Sequence, residues 1–479
     1  MQLPRIVRDF SFQAVGSYLT AALQMLRGIL LAGMLGPTGL GNFAMVGLVL
    51  AYSQYADLGI TLAVGREIPL ALGEGREQKA QQWRWYALVC KLIAEAVFAC
   101  ILAVALVVGW DSWPAGLRFG LVTALVVVIL QGVVVVTQTV LRARQLFLHE
   151  MVVTVTLAIT LTLGMVAGGV SYGIRGVFVG QLLGFVLAAC LGLALWGMPR
   201  AGRLQLRRVK QLLTVGVPLA MLTFMGYNLI YVDQVMVLWL LGRRELGIYS
   251  LALYAGSALF LLPASVAGAV SPRLLRRYGE QPAVEAIRAY TWRPVGVLSL
   301  ALPPAIMVVW LVAPIVIVAF LPDFGSVIAP LRIYVVGMFF LGLNYGVSST
   351  LIALNKHRYN IPILLACVTL NVVLDIALVA GLGLGLEGVA VGSLVTYSVY
   401  WMAHTTLVRW FFDERPASAV RRNLETGWPG LVLVVLLLLV GSTGRLGEVD
   451  AVLSTGLLVL TTAMSLARWR FGLRRVEAA

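Results

Sequence analysis

Long apolar stretches alternate with short polar breaks along the chain from near residue 10 to near residue 469. A helix needs about 20 mostly apolar residues to cross hydrocarbon, and each stretch is long enough. Barrel strands would be about ten residues long with strict alternation, and that pattern is missing. The pattern predicts about fourteen spanning helices, centred near residues 22, 51, 97, 128, 160, 185, 226, 258, 306, 341, 370, 397, 435 and 459. The first run lacks a cleavage-like flank and is expected to stay as a signal anchor. Breaks on one side are minimal, such as "GPTG", "GWDSWPAG", "LPDFG" and "GLGLGLEG". Those on the other side are longer and basic, at 66–84, 198–211, 273–293 and 410–426.

The pattern also repeats. "LGPTGLGNF" at 35–43 returns as "LGRRELGIY" at 241–249, and "GIRGVFVG" at 173–180 returns as "GLEGVAVG" at 385–392. More loosely, "LRARQ" at 141–145 returns as "LIALN" at 351–355. Helices 1–6 and 7–12 therefore read as two copies of one unit, with drifting offsets from small loop insertions. Six is even, so both copies keep one orientation and are parallel repeats about an axis along the membrane normal. The expected organisation is an N-terminal six-helix lobe (1–197), a cytoplasmic amphipathic linker (198–211), a C-terminal six-helix lobe (212–409), and two appended helices with a basic tail (410–479). In the linker, Leu204, Leu206, Val209, Leu212 and Leu213 make one apolar face against a basic one, as a helix lying on a membrane surface requires.

Composition agrees: 60% of the 479 residues are hydrophobic and only 12% are charged. The net charge of +15 would suit a nucleic-acid partner if it were clustered on one domain. Instead most of the 36 Lys and Arg fall on the side that also carries both termini. That bias places both ends in the cytoplasm of an inner (cytoplasmic) membrane protein and makes anionic lipid, not nucleic acid, the partner of the basic excess. Cys90, Cys100, Cys190 and Cys367 sit in apolar runs at unrelated spacings, and His149, His357 and His404 form no ligand spacing, so neither a disulfide nor a metal site is expected. No Gly-rich phosphate loop ending in Gly-Lys-Ser/Thr occurs, and no outer loop is long enough for an active site. The composition points away from an enzyme and from a bound cofactor.

Ionisable residues inside spans are costly and mark candidate sites. Arg27 lies in helix 1, Asp57 toward the inner end of helix 2 ahead of Arg66, Lys91 and Glu95 in helix 3, and Asp233 in helix 7 beside Asn228 and Tyr231. The repeat offset carries Arg27 onto Asp233, with opposite charge at one point of the same helix. The pair either lines a cavity, binding an anion or a cation, or neutralises itself. Lys91 and Glu95 are four apart and are expected to pair on one helix. Asp57 reads equally as a cavity residue or as a structural cap. Asn344 beside Tyr345, Asp375 with Asn371, and the glutamines Gln131 and Gln138 are secondary candidates that line the cavity or bridge helices.

"LGPTGLGNFAM", "YADLGITLAVGREI", "VDQVMVLWLLGRRELGIYSLA" and "NVVLDIALVAGLGLGLEGVAVG" stand in an order and spacing that resemble the polysaccharide (oligosaccharide-lipid) flippases of the multidrug/oligosaccharidyl-lipid/polysaccharide exporter superfamily. The resemblance covers essentially the whole chain. It implies an all-α polytopic protein whose two lobes form a V around a central cavity and work by alternating access. The implied cargo is an undecaprenyl-pyrophosphate-linked oligosaccharide for surface polysaccharide synthesis. Coupling to H⁺ or Na⁺ is implied, and the polysaccharide polymerase and glycosyltransferases are candidate partners. Arg27 matches the position of a cavity arginine in such flippases, and Arg66 is a candidate inner-mouth contact. Positive charge at depth comes only from Arg27 and Lys91, and Asp233 opposes it. A neutral glycan, or cation coupling through Asp233, therefore stands beside the pyrophosphate reading. A drug or organic-cation antiporter, a lipid II flippase, and a non-transporting scramblase or assembly scaffold are the alternatives.

The charge bias sets a topological expectation. A reporter that works only in the cytoplasm, fused after Ala479, should be active. A fusion active only outside the cell would overturn the fourteen-helix count.

Overall fold

The computed structural model describes residues 3–199, 202 and 204–443. The span expected near residue 459 and the basic tail after it lie outside the described residues. Those described contain helices and no strand. Nine of their helices are long and apolar enough to cross a membrane. The helices are α1 (Leu3–Ser53), α2 (Ile60–Gly73), α3 (Glu77–Val108), α4 (Ala115–Ala143), α5 (Phe147–Trp196), α6 (Leu206–Leu240), α7 (Arg243–Glu280), α8 (Val284–Phe320), α9 (Ile328–Ala353), α10 (Asn360–Asp375), α11 (Gly385–Trp410) and α12 (Pro416–Thr443). Two of these bend sharply: α1 at Gly36 and α5 at Tyr172–Gly173.

The chain divides into two compact units. Unit 1 holds Met1–Tyr227 with Arg243–Gly247, and unit 2 holds the remainder from Asn228. The division falls inside α6. The cause is local packing in unit 1. Phe224 of α6 stands edge-on to Tyr52 and Tyr55, with ring centroids 6.1 and 5.2 Å away, and the backbones at Gly59 and Gly216 approach so closely that a Cβ on either would strike the other's carbonyl. The first half of α6 is thereby held against the α1–α2 region.

In unit 1, α4 and α5 pack along each other, α1 lies on α5, and α3 bridges α2 and α4. Leu121, Val128 and Val136 of α4 and Phe178 of α5 form the dry centre. Helix α3 is largely bare: in its most apolar stretch only 17% of residues are buried by protein. The second expected span is not one continuous helix. It stops at Ser53, runs through turns over residues 54–59, and resumes at Ile60. Leu58 and Gly59 take positive φ there, at 49° and 82°.

Unit 2 is built around α9, whose apolar window is 83% buried. It is apolar on every face, as an internal helix must be. Helices α8, α11 and α12 pack on it, and α7 joins them where Tyr334 and Pro263 meet Gly256 and Gly342. The appended α12 belongs to this unit. Its Gly427 and Gly430 let the backbone settle onto Trp401 and Phe339. Between α10 and α11 the chain passes through a π turn, Ile376–Gly381.

Backbone conformation recurs at the matched sequence positions. Gly36 has φ 64° and ψ 178°, and Gly242 has φ 92° and ψ −177°, a region open essentially to glycine alone. Each is followed by a fresh helix, begun by Pro37 in one case and Arg243 in the other. Pro37 suits a helix start because its missing N–H has no partner to lose there. Gly173 and Gly385 also share positive φ, 59° and 56°, as do Gln145 and Asn355 at 61° and 54°.

A consequence for stability follows. A Cβ on Gly36 meets open space, so Gly36→Ala suffers backbone strain only and should cost about 1–3 kcal/mol. Gly47→Ala, in the same helix with equally open surroundings, should be neutral or slightly stabilising. Thermal unfolding of both purified variants in detergent checks this; equal melting temperatures would contradict it.

Candidate functional site

Two groups of buried polar side chains stand out, one in each unit. In unit 1 the break at 54–59 leaves backbone groups without helical partners, and hydrocarbon supplies none. Asp57 repairs the start of α2. Its carboxylate accepts from the backbone N–H of Gly59 at 3.2 Å and of Thr61 at 2.9 Å, and from the Thr61 hydroxyl. Lys91 of α3 reaches across to donate to the Gln54 carbonyl at 2.8 Å. The same ammonium pairs with Glu95 at 2.9 Å, one helical turn on, and lies 3.9 Å from Asp57. The side chains of Lys91, Glu95 and Asp57 are 1–3% exposed, so they line no open space. Their arrangement is a staple: α3 holds the broken segment of the second span in place.

In unit 2 the centre is Asp233 of α6, which is fully buried. Its Oδ2 accepts from the Tyr249 hydroxyl of α7 at 3.1 Å and from the Ser393 hydroxyl of α11. Asn371 and Asp375 of α10, also fully buried, stand beside it, and the charges of Asp233 and Asp375 act on each other. Gly392 makes room: a Cβ there would overlap Asp375 Oδ1. Tyr334 and Tyr397 close the group, with Tyr334 edge-on to both Tyr249 and Tyr397. Asp233 Oδ1 and both Asp375 oxygens are buried without a well-aligned donor, the Asn371 amide lying close enough to interact with Asp233, and neither carboxylate has a basic partner among the described residues. An ionised aspartate at the middle of a membrane costs about 2.5–3.5 kcal/mol on insertion scales. A proton or a cation beside the two carboxylates would offset that cost. Every ligand on offer is oxygen, which suits a proton or a hard cation and not a soft metal.

The remaining sequence candidates fall elsewhere. Arg27 is half-buried on α1 in unit 1, and Arg66 is exposed on α2, 4.0 Å from Glu67. Asn228 is buried on α6. Asn344 is committed inside unit 2, donating to the Phe340 carbonyl at 3.1 Å and bonded to His404 Nδ1 at 2.9 Å. Gln138 bridges helices, donating to Thr154 Oγ1 at 2.9 Å. Lys91 and Glu95 thus pair on one helix, while Asp233 and Asn344 each bond within unit 2.

Sequence reasoning gave Asp375 too little weight and passed over Tyr249 and Ser393. The available signals were the Asn371/Asp375 spacing of four on one helix face and the Gly392–Ser393 step, which puts a gap beside a hydroxyl. Nothing in the local sequence says that these converge on Asp233 from α10, α11 and α7.

Among solved structures, the chain is similar to an inward-facing multidrug resistance MATE family transporter of the MOP superfamily, with 15% identity and TM-score 0.68 over 84% of this chain and 96% of that one. It is similar to the lipid II flippase MurJ in an inward closed conformation, with 14% identity and TM-score 0.66 over 97% and 99%. A MOP superfamily transporter from Pyrococcus furiosus, described as having a binding pocket of reverse polarity, aligns with 16% identity and TM-score 0.54 over 85% and 95%. At these identities the likeness speaks for the fold. None of the curated proteins matches the sequence. The sequence pattern of the polysaccharide biosynthesis protein family, by contrast, matches residues 6–277, more than half of the chain, and the chain belongs to that family.

Proposed function

We propose that this protein is a flippase that carries an undecaprenyl-pyrophosphate-linked oligosaccharide from the inner to the outer leaflet by alternating access, coupled to H⁺ or Na⁺ through Asp233 and Asp375. The observation that carries the coupling is the pair of fully buried carboxylates with no basic partner among the described residues and three oxygens without a well-aligned donor. Such a group is neutral only when loaded, so loading and release change the packing preference of α6, α10 and α11 together. The family match supports a saccharide cargo. The recurring backbone at Gly36 and Gly242, at Gly173 and Gly385, and at Gln145 and Asn355 supports a fourteen-span layout of two six-helix copies.

Arg27 takes the pyrophosphate in this reading. Its planar fork bonds two phosphate oxygens at once and never loses its charge. Asp233 has the coupling role and not a cargo contact, because its bonds point into unit 2. A drug or organic-cation antiporter is the second reading, favoured by the buried carboxylates and by the likeness to a multidrug transporter. The fold shared with a lipid II flippase favours a narrower variant of the first.

Surface polysaccharide in cells carrying each variant at equal protein level tests the proposal. Asp375→Asn and Asp233→Asn should each lower export by about tenfold or more, the loss of one coupling interaction worth roughly 1.4 kcal/mol. Arg27→Lys should retain part of the export and Arg27→Ala very little. Full export with Arg27→Ala would reject the phosphate role. Unchanged export with Asp375→Asn would reject coupling at this site. Drug resistance that rises with expression while polysaccharide stays constant would favour the antiporter.

A further inference from the structure

A third cluster, at one end of unit 2, takes no part in the proposed transport. The first turns of α8, the end of α11 and the first turns of α12 meet there around Glu414. Its carboxylate is shared by three arginines from three helices: Arg288 and Arg422 each at 2.9 Å from Oε1, and Arg409 at 3.2 Å from Oε2. Glu285 adds a second carboxylate, 2.7 Å from Arg288. Arg409 lies over the face of Trp292 at 3.8 Å and bonds Asn423 at 2.7 Å, which fixes its guanidinium. These groups wall an open pocket of about 490 Å³ that also holds Arg293. Arg293 is exposed and has no ion-pair partner among the described residues. Four guanidinium groups against two carboxylates leave the pocket with a net +2.

The surface leading away from the pocket is apolar. On the face of α8 that carries Arg293, Val297, Val308, Val312 and Ile315 follow at helical spacing, and Ile315 is 67% exposed. A charged pocket at the helix ends, opening onto an apolar stripe, matches a molecule with a phosphate head and hydrocarbon tails. The long basic breaks 273–293 and 410–426 both border it, which puts it in the inner leaflet. That sidedness rests on the topology adopted for the proposed function.

We propose that the Arg288–Arg293–Arg409–Arg422 pocket binds the phosphates of an anionic phospholipid of the inner leaflet, with the acyl chains along α8. Basic pockets between helices on the cytoplasmic side suit a lipid with two phosphates, whose charge offsets the net +2. Glu414 holds three of the guanidinium groups splayed, so the lipid meets a pre-formed site. The bound lipid ties α12 to α8 and α11.

The test uses the full chain in phosphatidylcholine nanodiscs, with cardiolipin as probe and native mass spectrometry to count retained lipid. Wild type should keep cardiolipin. Arg293→Gln leaves all three bonds to Glu414 in place; together with Arg422→Gln, which removes one of them, it should lower retention about tenfold or more, the loss of up to two charge-assisted contacts. Arg276→Gln, an exposed arginine of α7 paired with Glu280, should retain as much as wild type. Unchanged retention in the double variant, with its melting temperature preserved, would overturn the site. Equal stabilisation by inorganic phosphate would replace the lipid with a soluble anion. Retention is blind to sidedness, so it stands or falls apart from the transport reading. Labelling of Ser418→Cys in cells, in a chain freed of its four cysteines, reports the leaflet, and access only from outside would overturn the inner-leaflet assignment.

Discussion

Hydrocarbon offers a buried chain neither a hydrogen bond nor a counter-charge, and most features of this protein answer that single deficit. Where the second span breaks at 54–59, the exposed backbone needs partners. Asp57 supplies the acceptors and Lys91 the donor. Lys91 in turn needs a counter-charge, and Glu95 stands one turn along the same helix. The chain of obligations closes on a buried ion pair, so each charge has its counter-charge. In unit 2 it does not end. Asp233 and Asp375 keep oxygens without well-aligned donors and have no basic partner among the described residues, and in the proposed cycle a mobile ion or proton fills that gap.

That contrast separates structure from function. Breaking a buried ion pair by removing one partner costs about 3–5 kcal/mol, so a closed triad resists change. An incomplete set changes state whenever its missing member arrives or leaves. The membrane potential adds direction, at about 2.3 kcal/mol per elementary charge per 100 mV. With the inside negative, a cation moving inward and a pyrophosphate moving outward are both driven the same way. The potential then acts on cargo and coupling ion alike in the proposed cycle.

How far the sequence could be read depended on the range of each interaction. The helices were legible because a span is written in consecutive residues. The turn at Gly36–Pro37 was legible because proline and glycine act on their own φ. Lys91 and Glu95 could be paired from their spacing. The break at 54–59 was not legible, since "YSQYADLGI" is apolar enough to continue a helix and its interruption is held by a lysine about 35 residues away. Asp233 was legible as a charge in a span, but its partners were not. Its hydroxyl partners, Tyr249 and Ser393, look like ordinary helix residues in their own segments. The long-range offset that placed Arg27 opposite Asp233 identifies equivalent positions and says nothing of what each one touches.

The two extremes of burial, α9 and α3, have a consequence for how the protein senses the bilayer. Helix α9 is walled off by its neighbours, so lipid thickness and order reach it only through other helices. Helix α3 meets hydrocarbon along most of its apolar length and also carries Lys91 and Glu95 on its inner face. A mismatch between bilayer and helix costs fractions of a kcal/mol per Å and is relieved by tilt. Tilting α3 moves the ammonium that pins the break in the second span. A change in membrane thickness is thus delivered to the backbone of unit 1 at one lysine.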